Sequence, residues 1–455
     1  MSLAAESPSP MDYAEELHGH ISHRFVRAEP RERARTYLRG ILDPVGRRNG
    51  WQLAARVGEE HPDGMQRLLS TARWNADRVR DDVRDFVLGY AGDRNAVLVV
   101  DEWRFAKKGR RSVGVHLARS SGSRRTENVQ TGLFCTYVAQ RGSYLIDREL
   151  FLPATWIGDT GLRRSARIPD GLPYRTVAEL AGGMVTRAIA AQVPARWVAA
   201  DVSVIDLPLR RFLERNPMWF LIGVRTDERL PMVVGDHRGR HSAETVAALL
   251  DGDAWATRGA SQVRQWSAHE WARVRLPVAR PGSGVRWLLL RRDPGTGENL
   301  HAYLCQAGPA TTLPDLVEIA LLLQRNRYVL ASACTGAGLD EYEVRHWVGW
   351  YRYTTLALAA HNCLALAGSR NDTAETVSIP AARDPQARSR LPRPEPRTDT
   401  EEEPCPTPVR PSTRSVPCAT RCASTSNSAR STVPARRGRS PWLVFPSGRS
   451  RGWAR

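Results

Sequence analysis

Two carboxylates, each directly after an apolar run, are the residues of this chain best placed for chemistry. Asp101 follows Val97-Leu98-Val99-Val100, and Asp201 follows Trp197-Val198-Ala199-Ala200. Such runs predict strands buried on both faces, which deliver a polar residue to the edge of a sheet. Two carboxylates held together there suit a pair of Mg²⁺ or Mn²⁺ ions, which can activate an attacking oxygen and stabilise the leaving oxygen of a phosphodiester. The alternative for either acid alone is that it caps the following turn.

A basic segment lies shortly after the first acid. Lys107, Lys108, Arg110 and Arg111 follow within ten residues of Asp101, and the two lysines are the only lysines of the chain. Cations beside a pair of acids could bind the phosphates of DNA. The alternative is a solvated turn without a ligand.

The overall charge also favours a polyanionic partner. The chain has 455 residues and a formal net charge of +18, so DNA or RNA is the simplest partner. A GC-rich genome would explain the preference for arginine over lysine, but it would not explain the net charge. No apolar run reaches the ~18 residues of a membrane span, and the N-terminus does not resemble a signal peptide. The seven cysteines form no disulfide framework, so we expect a cytoplasmic, nucleoid-associated protein without membrane contact.

Composition and periodicity divide the chain into four segments. Residues 1–14 are expected to be loose, and residues 15–92 to form a small helical domain for DNA binding or dimerisation, with Trp51 and Trp74 in its core. Residues 93–367 are expected to form an α/β domain. Residues 368–455 are rich in Pro, Ser, Thr and Arg. This last segment predicts a disordered basic tail, and the alternatives are an arm that binds DNA phosphates or the product of a shifted reading frame.

The α/β segment has the order of a ribonuclease-H-like fold. In that fold the mixed sheet has the strand order 3-2-1-4-5, so the first and fourth strands are neighbours and Asp101 and Asp201 would lie side by side. A β-rich insertion is expected at about 225–308, and helices at 313–323 and 344–366 follow. Aromatic residues of the last helix are expected in the core, with base stacking as the alternative. The five predicted strands are residues 95–101, 112–117, 130–139, 196–201 and 219–224.

Longer motifs in a fixed order resemble the DDE transposases of bacterial insertion sequences, in the branch with a β-rich insertion. The resemblance covers about residues 20–367. The motifs that carry it are Asn49-Gly50-Trp51-Gln52-Leu53-Ala54, Val99-Val100-Asp101-Glu102, Lys107-Lys108-Gly109, Glu127-Asn128-x-Gln130-x-Gly132, Leu145-Ile146-Asp147-Arg148-Glu149, Pro194-Ala195-Arg196-Trp197-Val198-Ala199-Ala200-Asp201, Glu270-Trp271-Ala272-Arg273-Val274, Gly338-Leu339-Asp340 and Val344-Arg345-x-Trp347-x-Gly349-Trp350.

The resemblance implies a function and a site. It implies metal-dependent hydrolysis and strand transfer on double-stranded DNA, at the terminal inverted repeats of the protein's own element. It implies that Asp101 and Asp201 are the first two catalytic acids and hold two Mg²⁺ or Mn²⁺ ions. It also implies that the N-terminal helices bind the element's ends or form a homodimer.

The third catalytic acid of the family is missing from its expected place. The family has a glutamate after an Arg-Trp pair, and the corresponding segment here begins at Arg327-Tyr328 and has Ala331 at the glutamate position. The segment before Gly338 is also about four residues short. Glu341 and Glu343 are the nearest carboxylates that could substitute. Loss of one ligand of a two-metal site should cost orders of magnitude in rate.

We therefore expect a degenerate transposase with a folded core and impaired or absent strand cleavage. The first alternative is a transposase-derived protein that is kept for DNA binding alone. The second is a cellular nuclease with the same core, which would not need the β-rich insertion.

Overall fold

The computed structural model describes residues 8–43, 46, 48–119, 125–234, 237–258, 269–277 and 284–371. All of them belong to one compact unit, residues 1–385, and a second unit, residues 386–455, lies outside the described residues. The predicted tail, residues 368–455, therefore also lies outside them, apart from the end of a helix that stops at Asn371.

Five helices occupy the N-terminal segment. The first begins at Pro10, inside the segment expected to be loose, because Ser9 and Asp12 form a capping box and Tyr13 and Ala14 are buried. The five helices contact one another, and all except the third also pack against the last helix among the described residues. Their bounds are α1 (Pro10–Ile21), α2 (Ala28–Leu42), α3 (Gly50–Arg56), α4 (Asp63–Ser70) and α5 (Ala76–Ala91).

Strands and further helices alternate after α5. The strands are β1 (Ala96–Ala106), β2 (His116–Arg119), β3 (Thr126–Ala139), β4 (Gly142–Leu150), β5 (Ala195–Ala200), β6 (Trp219–Val224), β7 (Leu230–Val234), β8 (His237–His241), β9 (Ala256–Arg258), β10 (His269–Leu276), β11 (Val285–Arg292) and β12 (His301–Ala307). The helices are α6 (Ala154–Gly158), α7 (Thr160–Ser165), α8 (Val177–Ala190), α9 (Leu207–Arg215), α10 (Ala243–Leu249), α11 (Leu313–Ala337) and α12 (Trp347–Asn371).

The main sheet is mixed and has ten strands among the described residues. Its order is β2-β3-β1-β5-β6-β12-β11-β10-β9, and β4 also pairs with β3. Strands β1 and β5 lie side by side in parallel, as expected, and the pairing ends at Val100 and Ala200. This α/β architecture is consistent with a ribonuclease-H-like fold.

The prediction of the second and third strands was wrong in its details. The strand beside β1 is β3 rather than residues 112–117, which turn sharply at Gly114. A Cβ at Gly114 would lie 2.9 Å from the carbonyl oxygen of Phe151, so the turn needs glycine there. The sequence pattern also missed β4, because buried Asp147 and Arg148 interrupt its apolar residues.

The segment expected to be a β-rich insertion extends the main sheet. Strand β12 pairs with β6, and β11 and β10 follow in antiparallel pairs. Strands β7 and β8 form a separate hairpin. The described residues between 225 and 308 thus form six strands, β7 to β12, together with the short helix α10.

Alternate residues of β1 face two different cores. Leu98 and Val100 pack in the core that includes α8, α12 and the N-terminal helices. Val97 and Val99 pack in the core that α11 covers, together with Trp197 of β5. Because side chains alternate between the faces of a strand, a residue at position 101 belongs to the face covered by α11.

Helix α12 is the buried helix that the apolar run near its centre predicted. Trp350 and Tyr353 are buried in the core, as expected. Asn362 donates to the carbonyl oxygen of Leu145 and accepts from its amide, each at 2.9 Å, which joins α12 to β4. Among the described residues, every helix is too short or too polar to span a bilayer.

Candidate active site

Asp101 and Asp201 lie at equivalent points of neighbouring strands. Each follows a residue of the last parallel pair, Val100 with Ala200. Strand β5 ends at Ala200, one residue before its predicted end at Asp201, whereas β1 continues past its predicted end at Asp101 to Ala106 because β3 still pairs with it. The acids are brought together where β5 leaves β1, so the sheet itself creates the site.

Hydrogen bonds orient both carboxylates. Asp101 Oδ1 accepts from the amide of Glu102 at 2.8 Å, and Asp201 Oδ1 accepts from the amide of Val202 at 2.7 Å. Gly223 on β6 allows the turn after Asp201 to pack closely, since a Cβ there would lie 2.5 Å from the Val202 nitrogen. The two acids therefore have similar, fixed orientations relative to their strands.

Helix α11 supplies the remaining side chains near Asp101. The Asn326 Nδ2 donates to Asp101 Oδ2 at 3.5 Å, and Arg327 is near enough for its positive charge to act on the same carboxylate. Asn326 is 1% exposed, and its Oδ1 has no hydrogen-bond partner among the described residues. The sequence pattern ended this helix at residue 323, and so it missed both residues.

The position expected for the third acid depends on which landmark of the family is used for counting. Ala331 was the expected equivalent of the glutamate, with four residues missing before Gly338. A shift of four residues toward the N-terminus places the equivalent position at Arg327, one helical turn earlier on α11. The shortfall before Gly338 was the signal that could have identified Arg327. Counted from Gly338, a cation stands at the position for which the resemblance implies an acid.

Neither proposed substitute for the third acid reaches this site. Glu341 accepts from the amide of Arg48 at 2.6 Å, and Glu343 accepts from the side-chain amide of Asn49 at 3.2 Å. Both glutamates thus accept hydrogen bonds from the residues just before α3.

The environment of Asp101 favours its protonated form. Burial raises the pKa of Asp101 to about 6 from 3.8, the charge of Asp201 adds to this effect, and the positive charge of Arg327 opposes it. Asp101 is 3% exposed. Such a carboxylate is poorly compensated by its surroundings, as is typical of functional sites.

A cavity of about 430 Å³ opens beside Asp201. Its lining includes Gly223, Thr226, Glu244, His301 and Tyr303. The cavity lies at the carboxyl ends of β5 and β6, where ligands of open α/β sheets commonly bind.

The four basic residues after Asp101 do not share one environment. Lys107 is half-buried, and its Nζ lies 3.5 Å from the centre of the Tyr342 ring. Burial lowers the pKa of Lys107 to about 8. Lys108, Arg110 and Arg111 are exposed. The structure therefore leaves these three cations free to meet a phosphate, while Lys107 packs on an aromatic ring.

The chain matches a known protein family over more than half of its length. Residues 16–273 match the DDE superfamily endonuclease family, a transposase-type family. The chain belongs to this family. The match includes Asp101 and Asp201 and ends before α11. A search of curated proteins finds no match to the chain.

The residues at the acid pair do not fit the two metal ions that were expected. DDE superfamily endonucleases typically use divalent metal ions. Among the described residues, however, no group of three or more His, Cys, Asp or Glu side chains is placed to hold one. Asn326 can offer a neutral amide oxygen, but Arg327 adds a positive charge. With both acids ionised, the site has a formal charge of −1, where three carboxylates would give −3.

Proposed function

We propose that this chain is an insertion-sequence transposase whose strand cleavage is impaired or lost. The observation that carries the proposal is the pair formed by Asp101 and Asp201 at the edge of the sheet, next to Arg327 rather than a third acid. Family membership supports the nuclease class, and the acid pair supports the transposase type within it. The Arg327 charge supports the impairment, because it opposes a divalent cation.

In this proposal the partner is double-stranded DNA that carries the terminal inverted repeats of the element. The net charge of +18 and the exposed Lys108, Arg110 and Arg111 support this partner. The N-terminal helices would bind the element's ends or form a homodimer. The protein would act in the cytoplasm at the nucleoid.

Strand nicking tests the impairment. Labelled duplex DNA with the element's ends is incubated with the full chain in Mg²⁺ or Mn²⁺, and Asp101→Asn is the matched control. We expect no more product from the wild type than from Asp101→Asn. Robust nicking that Asp101→Asn abolishes would contradict the impairment, and robust nicking that it does not change would contradict the site as well.

A second candidate is a transposase-derived protein that binds DNA without cutting it. The position of Arg327 favours it, because its positive charge offsets part of the repulsion between the two acids without any metal. Terminal inverted repeats around the gene would support a mobile element, and their absence would favour this second candidate. Where the repeats are present, the full chain should bind them better than a scrambled duplex in a gel-shift assay.

DNA binding by the exposed cations has its own test. Neutralising Lys108, Arg110 and Arg111 together should weaken duplex binding and lower the salt dependence of log K by about 0.9 for each phosphate that the protein no longer neutralises. Neutralising Arg94, an exposed arginine at the other end of β1, serves as the control. An unchanged salt dependence in the triple variant would exclude these residues from the DNA interface.

A further inference from the structure

Trp51 does not lie in the core, contrary to the prediction from sequence. It is 57% exposed, whereas Trp74 is 7% exposed. Helix α3 begins at Gly50 and buries Leu53 and Ala54, so Trp51 at its first turn faces away from that core. A single exposed aromatic side chain is ordinary on a protein surface, and the neighbours of Trp51 decide whether it has a function.

These neighbours carry uncompensated positive charge. Trp51 lines a cavity of about 480 Å³ together with Gln66, Arg167, Arg345 and His346. Burial lowers the pKa of His346, and the charges of Arg167 and Arg345 lower it further, so the three groups lie close together. Among the described residues, neither arginine has a carboxylate within ion-pair distance.

The cavity has little negative charge of its own. Glu343 is the carboxylate among its lining residues, and it accepts a hydrogen bond from Asn49. Backbone hydrogen bonds hold the cationic side in place. The amide of Trp347 donates to the carbonyl oxygen of Ala166 at 2.9 Å, and the amide of Val113 donates to that of Arg345 at 3.0 Å.

An indole face beside two unpaired guanidinium groups matches the chemistry of a nucleotide. Bases stack on aromatic side chains, and guanidinium groups bind phosphate oxygens. Inside a duplex each base face is covered by the neighbouring base pair, whereas an unpaired nucleotide can offer its face to a side chain. The cavity volume of about 480 Å³ lies within the range of sites that hold one small ligand.

We propose that this cavity binds one unpaired nucleotide of a DNA strand. In this assignment the base stacks on Trp51, and the adjoining phosphate binds Arg167 and Arg345. The assignment rests on the proposed function in one respect, namely that the chain binds DNA. It is independent of Asp101 and Asp201, and it does not require strand cleavage.

Fluorescence anisotropy with three labelled DNAs tests this site on the full chain. The DNAs are a blunt duplex, the same duplex with a short single-stranded overhang, and that overhang with abasic nucleotides. We expect the wild type to bind the overhang DNA more tightly than either other DNA. We expect Trp51→Ala to lose this preference by roughly 5- to 150-fold, the range that base–aromatic stacking supports.

Matched variants distinguish stacking from general effects. Trp51→Phe keeps an aromatic face and should retain most of the preference. Tyr174→Ala removes another exposed aromatic ring, outside the cavity, and should change nothing. Replacing Arg167 and Arg345 by glutamine should weaken overhang binding, while Arg94→Gln should leave it unchanged. Circular dichroism confirms that each variant is folded.

Several results would overturn the assignment. Equal binding of native and abasic overhangs, or full preference in Trp51→Ala, would exclude base recognition in this cavity. If the blunt duplex binds and the overhang adds nothing, the nucleotide site is wrong and the DNA-binding function stands. If the wild type binds none of the three DNAs, both are wrong.

Discussion

Replacement of Arg327 by glutamate should convert the acid pair into a site that binds Mn²⁺. In the wild type, α11 brings the charge of Arg327 and the amide of Asn326 to Asp101. Arg327→Glu removes the cation and adds a carboxylate at the position equivalent to the third acid. The change alters the formal charge of the site from −1 to −3, which is the charge of three catalytic carboxylates.

The size of the effect follows from electrostatics. Two unit charges about 4 Å apart interact by about 4 kcal/mol at an effective dielectric constant of about 20. The substitution changes the charge that faces a divalent ion by two units, and any separation longer than 4 Å reduces the effect of each unit. We therefore expect Mn²⁺ to bind at least about a hundredfold more tightly, which corresponds to about 2.8 kcal/mol.

Isothermal titration calorimetry with Mn²⁺ alone measures this change without any activity assay. The matched control is Arg325→Glu, which makes the same charge change on the same helix. Position 325 is two residues away and therefore points to a different side of α11. Arg325→Glu should bind Mn²⁺ no better than the wild type. Adding Asp101→Asn to Arg327→Glu should remove the gain.

Two outcomes of the Mn²⁺ titration would refute the prediction for Arg327→Glu. If the wild type and Arg327→Glu bind Mn²⁺ equally well, the Arg327 charge does not oppose the metal. If Arg325→Glu gains as much as Arg327→Glu, the effect is one of overall charge rather than of the site.

Two further predictions concern stability. The pKa of Asp101 is raised from 3.8 to about 6, so its effect on the free energy of unfolding is most favourable below pH 4. It becomes less favourable by on the order of 3 kcal/mol as the pH rises past 6. Asp101→Asn should therefore unfold at higher urea concentration than the wild type at pH 7 and similarly at pH 4, and identical pH profiles would contradict this. Asp147 is buried and forms ion pairs with Arg80 and Arg187. Asp147→Asn should lower the free energy of unfolding by about 3 to 5 kcal/mol because it leaves buried cations without a partner, and a loss below about 1 kcal/mol in urea titrations would show that the pairs contribute little.

The central strands and their two acids could be predicted because their sequence signal is local. Continuous apolar runs predict strands buried on both faces, and the residue after each run lies at an edge. Their adjacency also followed, since the order of strands and helices allows few arrangements. The predicted neighbour of β1 was wrong because residues 112–117 have the alternation of a strand but contain the turn at Gly114.

The side chains supplied by α11 could not be predicted from local pattern. Arg325, Asn326 and Arg327 give this part of the helix no clear apolar face, so the pattern stopped at residue 323. Only the packing of α11 across β1 and β5 shows that Asn326 reaches Asp101. The prediction that Trp51 lies in the core was wrong for a similar reason, because helical periodicity does not reveal which face of a short helix is buried.

The central claim is that Arg327 takes the place of the third acid and that the acid pair therefore holds no divalent metal. Crystals of the full chain soaked in Mn²⁺, with an anomalous difference map, test it most directly. We expect no peak between Asp101 and Asp201 in the wild type, with Arg327 on the same side of the sheet as both acids. A strong peak bound by both carboxylates in the wild type would contradict the claim.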